Sequence, residues 1–150
     1  MKAGPERELF DRYFKRLADN ARQVGIGAVE LREIPESRAR RPEDRRSEEA
    51  AALRAALSPQ ASLVALDERG SSLTSEEFAA EIAAARDASR PAYALLVGGP
   101  DGLDTRLRES ASRTISFGAM TWPHQLVRVM AAEQLYRALT ILAGHPYHRT

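Results

Sequence analysis

The chain has 150 residues, enough for one domain with a real core, and its 22 basic and 21 acidic residues leave a formal charge of +1. Net charge alone therefore gives no argument for nucleic acid, although the distribution of charge could still supply one. The absence of cysteine excludes disulfides, thiolate zinc sites and cysteine nucleophiles and is compatible with a reducing cytoplasm. The start, MKAGPERELF, is charged and lacks a signal-peptide core, and Arg128, Glu133 and Arg137 interrupt the longest apolar run. A soluble cytoplasmic protein without membrane spans is expected.

Pro5, Glu6 and Glu8 make a good helix start, and Leu9, Phe10, Tyr13, Phe14 and Leu17 then recur at helical spacing. Val29–Ile34 alternates apolar and polar residues and predicts a strand ended by Pro35. Ser37–Arg46 carries Arg38, Arg40, Arg41, Arg45 and Arg46; a solvated loop and helix start, and an RNA-facing patch, both stand as readings. The alanine-rich stretch Glu48–Leu57 predicts a helix. Ser62–Leu66 is an apolar run of buried-strand type, with Asp67–Gly70 as the loop after it.

Thr74 and Glu77 stand at capping-box spacing, with Leu73 and Phe78 placed as a hydrophobic staple, for a helix running to about Ala88. Ala92–Val97 predicts a second buried strand, followed by the loop Gly98–Gly102. Leu103–Ala111 predicts a helix, Arg113–Phe117 a third strand, and Pro123–Ala143 a long terminal helix after the turn Gly118–Trp122. Strands alternating with helices imply a parallel sheet with helices on both faces, in a single domain spanning residues 1–150.

The terminal helix is apolar almost all round, so it must be buried on more than one side. The chain then ends in a polar tail carrying His145, Tyr147, His148 and Arg149. Chain ends are mobile unless something docks them. These features point to a helix that packs on its own domain and on a partner, and to a tail which that partner holds.

Ligands of open parallel sheets bind at the carboxyl ends of the strands. The segments Leu66–Gly70, Gly98–Gly102 and Phe117–Trp122 should therefore gather at one sheet edge. The glycines of the second segment fit close approach to a ligand, although a tight strand-to-helix turn is the stronger reading of that segment alone. The pattern is neither GxGxxG nor a Walker A loop. His145 and His148 have no third ligand near in sequence, so no metal site is expected. No Ser-His-Asp set or carboxylate pair stands out. Periodicity and spacing reach a ligand-binding α/β domain and stop there.

Six motifs carry a resemblance. They are Leu66-Asp67-Glu68-Arg69-Gly70 with Ser75-Glu76-Glu77-Phe78-Ala79; Val97-Gly98-Gly99-Pro100-Asp101-Gly102; Met120-Thr121-Trp122-Pro123-His124-Gln125-Leu126; Ala132-Glu133-Gln134-Leu135-Tyr136-Arg137; and Gly144-His145-Pro146-Tyr147-His148-Arg149. In order and spacing, over nearly the whole chain, they resemble the RlmH-type ribosomal RNA large-subunit methyltransferases, pseudouridine N3-methyltransferases of the SPOUT superfamily. The resemblance implies a C-terminal deep trefoil knot, a rare exception to ordinary topology. It also implies bent S-adenosyl-L-methionine held in the knot by Leu66, Gly98, Gly99, Phe117, Gly118, Ala119, Met120, Thr121 and Trp122. Phe117 and Trp122 stand where the family usually has smaller aliphatic residues.

The resemblance further implies a homodimer in which the tail of one subunit faces the cofactor of the other. The substrate would be a pseudouridine in a stem-loop of 23S rRNA, met in the assembled ribosome. His148 is then the first candidate for a base or hydrogen-bond partner at uracil N3. Arg149 and Arg137 are candidates for phosphate or imidate contacts, and Tyr147 for stacking on the base. His124 fits a helix start or a supporting role at least as well as catalysis. The family's opening strand has no counterpart before Gly4-Pro5-Glu6, so the sheet is expected to lack one strand. Two other readings stay open, a SPOUT enzyme acting on another RNA such as tRNA and a non-enzymatic RNA-binding module.

Overall fold

A computed structural model describes Met1–Arg149. The elements in chain order are α1 (Pro5–Asn20), a 3-10 turn (Ala21–Val24), α2 (Pro42–Ala56), β1 (Ser62–Ser72), α3 (Ser75–Asp87), β2 (Tyr93–Val97), α4 (Thr105–Ser110), β3 (Arg113–Ser116) and α5 (His124–Leu142). They gather into two compact units, one formed by Met1–Leu31, Leu73–Ala88 and the chain from Gln125 onward, the other by Arg32–Ser72 and Ser89–His124.

The first unit is helical. Pro5 in the first turn, with Glu6 and Glu8 behind it, starts α1. Its buried Leu17 joins Ala21 and Val24 of the 3-10 turn against Tyr136 and Leu139 of α5. Phe10 packs on Val129 and Ala132 of the same helix. Residues 129, 132, 136 and 139 fall on one helical stripe. Ala131, Ala138 and Thr140 are buried as well, so α5 is covered well beyond that stripe.

The capping box at α3 is formed. Thr74 Oγ1 accepts from the Glu77 amide at 3.1 Å, and Glu77 Oε2 accepts from the Thr74 amide at 3.4 Å. Two further bonds fix α3 at its ends, Ser75 Oγ to Gln134 Oε1 at 2.8 Å and Arg86 Nη1 to the Val24 carbonyl at 2.8 Å.

The second unit is built on a parallel three-stranded sheet in the order β2-β1-β3. Leu63 pairs with Ala94 and Ala65 with Leu96, so these four share one face. Ala50 and Leu53 of α2, Leu107 of α4 and the preceding Leu103 cover that face. Asp104 starts α4 by accepting from the Arg106 and Leu107 amides.

Four boundaries depart from expectation. Val29–Ile34 forms no strand. Alternation favours a strand only where a neighbouring strand completes the ladder, and this segment lies outside the three-stranded sheet. Asp67–Gly70 is no free loop but a bulge inside β1, since both Leu66 and Ser71 register with Ile115. The helix expected from Glu48 begins at Pro42, where proline with Glu43 and Asp44 gives a start signal inside the arginine run. The helix expected over Leu103–Ala111 is shorter, because Asp104 caps it and Ala111 is already extended.

Candidate active site

The sheet register aligns three segments in the second unit. Leu66 sits beside Val97 on one side and Ile115 on the other. The bulge after Leu66, the loop after Val97 and the turn after Ser116 therefore leave from the same edge. Leu66 is buried, Phe117 and Gly118 are half-buried, and Ala119, Met120, Thr121 and Trp122 are exposed. Ser116 Oγ shapes the start of the turn, accepting from the Gly118 amide at 3.0 Å and donating to the Gly118 carbonyl at 2.9 Å. Asp67, in the bulge, faces Arg108 Nη1 of α4 at 3.5 Å and accepts from the Arg69 amide at 2.9 Å.

The glycine loop is a tight turn. The Gly102 amide bonds the Gly99 carbonyl at 2.9 Å. A Cβ at Gly98 would stand 2.7 Å from the Gly102 carbonyl carbon and 2.8 Å from the Leu103 nitrogen, so the loop's own backbone demands glycine there. Arg45 of α2 clamps this loop. Its Nε and Nη2 donate to the two oxygens of Asp101 at 2.6 and 3.1 Å, and its Nη1 donates to the carbonyls of Ala39 and Arg40. The hydrogen bond from Arg45 holds the Asp101 carboxyl below its usual range.

Glu49 lies beside the same loop, with Oε1 3.3 Å from where a Cβ on Gly99 would be. Its Oε2 is buried without a hydrogen-bond partner. Burial, reinforced by Asp101 and Glu36, pushes the Glu49 carboxyl above its ordinary range.

The first unit carries the tail. Gly144, at φ 67°, ends α5 in the left-handed conformation. The His145 amide bonds the Thr140 carbonyl at 2.9 Å and the Gly144 amide bonds the Ile141 carbonyl at 3.2 Å, a Schellman end that sets the direction in which the tail leaves. The Tyr147 amide then donates to His145 Nδ1 at 3.1 Å. The Tyr147 ring meets Tyr136 edge-on with centroids 4.8 Å apart, and the Arg137 guanidinium lies 4.9 Å from its centre. Its hydroxyl donates to Glu133 Oε1 at 3.0 Å. Burial and the bond to Glu133 push its phenol upward, so it stays a donor.

Arg137 donates to Glu133 Oε1 through Nε and Nη2 at 3.0 and 2.5 Å. Its Nη1 lies 3.2 Å from His148 Nδ1, and His148 Nε2 lies 2.7 Å from Glu76 Oε1. Arg149 is exposed.

The predicted residues thus fall in two groups, one in each compact unit. Leu66, Gly98, Gly99 and the turn Phe117–Trp122 start from one sheet edge; Arg137, Tyr147 and His148 form one network with Glu133 and Glu76. Spacing missed Glu76, Glu133, Glu49, Arg45 and Asp101. Glu133 had a signal, four residues before Arg137. His124 is the first residue of α5, in keeping with a helix-start role. Among the described residues no group of three or more His, Asp or Glu could hold a metal ion, and no helix is long and apolar enough to cross a membrane.

Three parallel strands with helices between them, and a glycine turn after β2, define the fold as α/β. The family described as "Predicted SPOUT methyltransferase" matches residues 1–148, and the chain belongs to it. Among its relatives, the protein named "Ribosomal RNA large subunit methyltransferase H" of Xanthobacter autotrophicus is 56% identical, over 99% of this chain and 93% of its own length. Proteins of the same name from Methylocella silvestris and Methylobacterium radiotolerans are 57% and 58% identical, each over 99% of this chain and 92% of their own.

Proposed function

We propose that this chain is an S-adenosyl-L-methionine-dependent methyltransferase of 23S rRNA, which modifies N3 of a pseudouridine in a large-subunit stem-loop of the assembled ribosome. The observation that carries the reading is the 56% identity, along 99% of the chain, to a relative named for that class of activity. The proposal includes a single domain over residues 1–150, a cytoplasmic location, a homodimer, helices on both sheet faces and a knotted C-terminal part. The parallel order β2-β1-β3 supports the α/β part of this reading.

The sheet edge fits the cofactor. It offers exposed apolar groups at Met120 and Trp122 and, beside the glycine loop, a buried carboxylate oxygen on Glu49 without a hydrogen-bond partner. Leu66, Gly98, Gly99 and Phe117–Trp122 would hold it, with Leu66, Phe117 and Met120 as apolar shielding. The bound cofactor supplies an electrophilic methyl group on a sulfonium.

The N3 imide is protonated at neutral pH, so the protein must take that proton or stabilise the negative charge that develops. His148 supplies the hydrogen-bonding group at N3. Arg149, exposed at the tail, contacts phosphate or imidate. Arg137 and Tyr147 serve by anchoring the tail, since both are engaged with Glu133. In the homodimer each tail completes the site of the other protomer.

The test is transfer of labelled methyl to ribosomes with and without the target pseudouridine. Label only in the pseudouridine-bearing ribosomes is expected. Label in purified tRNA instead, or no uptake of S-adenosyl-L-methionine by calorimetry, would overturn the reading.

A further inference from the structure

We infer that Glu76 is a positioning residue for the methyl transfer, holding the His148 ring in the orientation that the reaction uses. The inference rests on the reading above, in which His148 serves at N3.

A guanidinium has only N–H groups to offer. With Arg137 Nη1 at 3.2 Å, His148 Nδ1 must be the bare, accepting nitrogen. The proton of the neutral ring is then on Nε2, which donates to Glu76 Oε1 at 2.7 Å. Both ring nitrogens are engaged and the ring cannot turn over without breaking both bonds. The other side of Arg137 is fixed by Glu133, and Glu133 also accepts from Tyr147. A continuous chain thus runs from Tyr147 through Glu133, Arg137 and His148 to Glu76.

Glu76 is itself held from behind. It stands in the first turn of α3, between the Thr74–Glu77 capping box and the Ser75–Gln134 bond to α5. The side chain of Glu76 is half exposed, whereas that of His148 is 16% exposed. The bond is therefore reached by water mainly from the Glu76 side. Arg137 decides which nitrogen is bare, and Glu76 decides how the ring is rotated. In the observed arrangement His148 has no free lone pair, so it meets substrate as a donor: the Nε2–H that Glu76 holds is shared with a carbonyl oxygen flanking N3, where the negative charge of the imidate gathers.

The test compares full-length wild type, Glu76→Ala and Glu76→Gln. Gln keeps an oxygen that can accept from Nε2–H, whereas Ala keeps nothing. The first readout is the His148 Nε2–H proton in spectra of imidazole-labelled protein, identified by its loss in His148→Asn. It should be protected from water in wild type and in Glu76→Gln, and lost to exchange in Glu76→Ala. The second is methyl transfer to ribosomes. In Glu76→Ala, kcat should fall about tenfold or more, as when other groups that orient a histidine are removed. KM for ribosomes and calorimetric affinity for S-adenosyl-L-methionine should stay within about twofold, and Glu76→Gln should keep kcat within about threefold.

Wild-type kcat and a protected Nε2–H in Glu76→Ala would overturn the inference, as would a Glu76→Gln variant as slow as Glu76→Ala. A wild-type protein that binds S-adenosyl-L-methionine yet methylates no ribosomes would overturn the functional reading instead. The Nε2–H spectra would then still decide the role of Glu76.

Discussion

Glu49 and Tyr147 show how single groups carry the electrostatics of the two clusters. Burial raises the Glu49 carboxyl above its unfolded value, so the folded chain binds more protons there than the unfolded chain. Its contribution is favourable below the ordinary carboxylate range and is lost as pH rises through the raised value. Glu49→Gln should therefore melt at a higher temperature than wild type at pH 8, with the difference shrinking toward pH 4. A melting difference that grows on acidification would contradict this assignment. Tyr147→Phe removes the donor to Glu133 and should lower stability by about 1 kcal/mol in denaturant titration. These roles were not legible in the sequence. Glu76 and His148 are 72 positions apart, and Arg45 and Asp101 are 56 apart. Nothing in local spacing says which of many carboxylates a given base will meet.

At the scale of elements, what was local was legible. The Thr74–Glu77 box lies within one turn, so residue types three apart sufficed to place it, and the three buried strands announced themselves by composition. Thr74→Ala should cost about 1 kcal/mol of stability. Gly144→Ala should cost a similar amount. A Cβ there meets nothing within 4 Å, so the penalty is the left-handed backbone alone, and the altered exit of the tail should reduce methyl transfer further. Leu139→Ala, in the centre of the α1–α5 cluster, belongs to the costlier class of about 2–5 kcal/mol. Val29–Ile34 marks the limit of such reading. Its alternation is as clean as that of many strands, but pairing is a property of two segments and only one was visible. The β1 bulge failed for the opposite reason, because turn-forming residues concealed a strand that resumes at Ser71.

At the scale of the molecule, deleting His145–Thr150 should abolish methyl transfer while leaving most cofactor binding, as read by calorimetry against labelled-methyl assays. Full activity in the deletion would end the role proposed for the tail. Protein diluted to monomers should bind cofactor weakly and methylate nothing, which sedimentation combined with activity would check. The near-neutral total, 22 basic against 21 acidic residues, conceals how the charge is arranged. Arg45 belongs to a run that resembles a polyanion-binding patch, yet both faces of its guanidinium fork are occupied by Asp101 and by carbonyls. A guanidinium already paired displaces no counterions from a nucleic acid. The salt dependence of ribosome binding should accordingly respond to the exposed Arg38, Arg40 and Arg41 and be indifferent to Arg45, whose loss would be felt in the glycine loop instead.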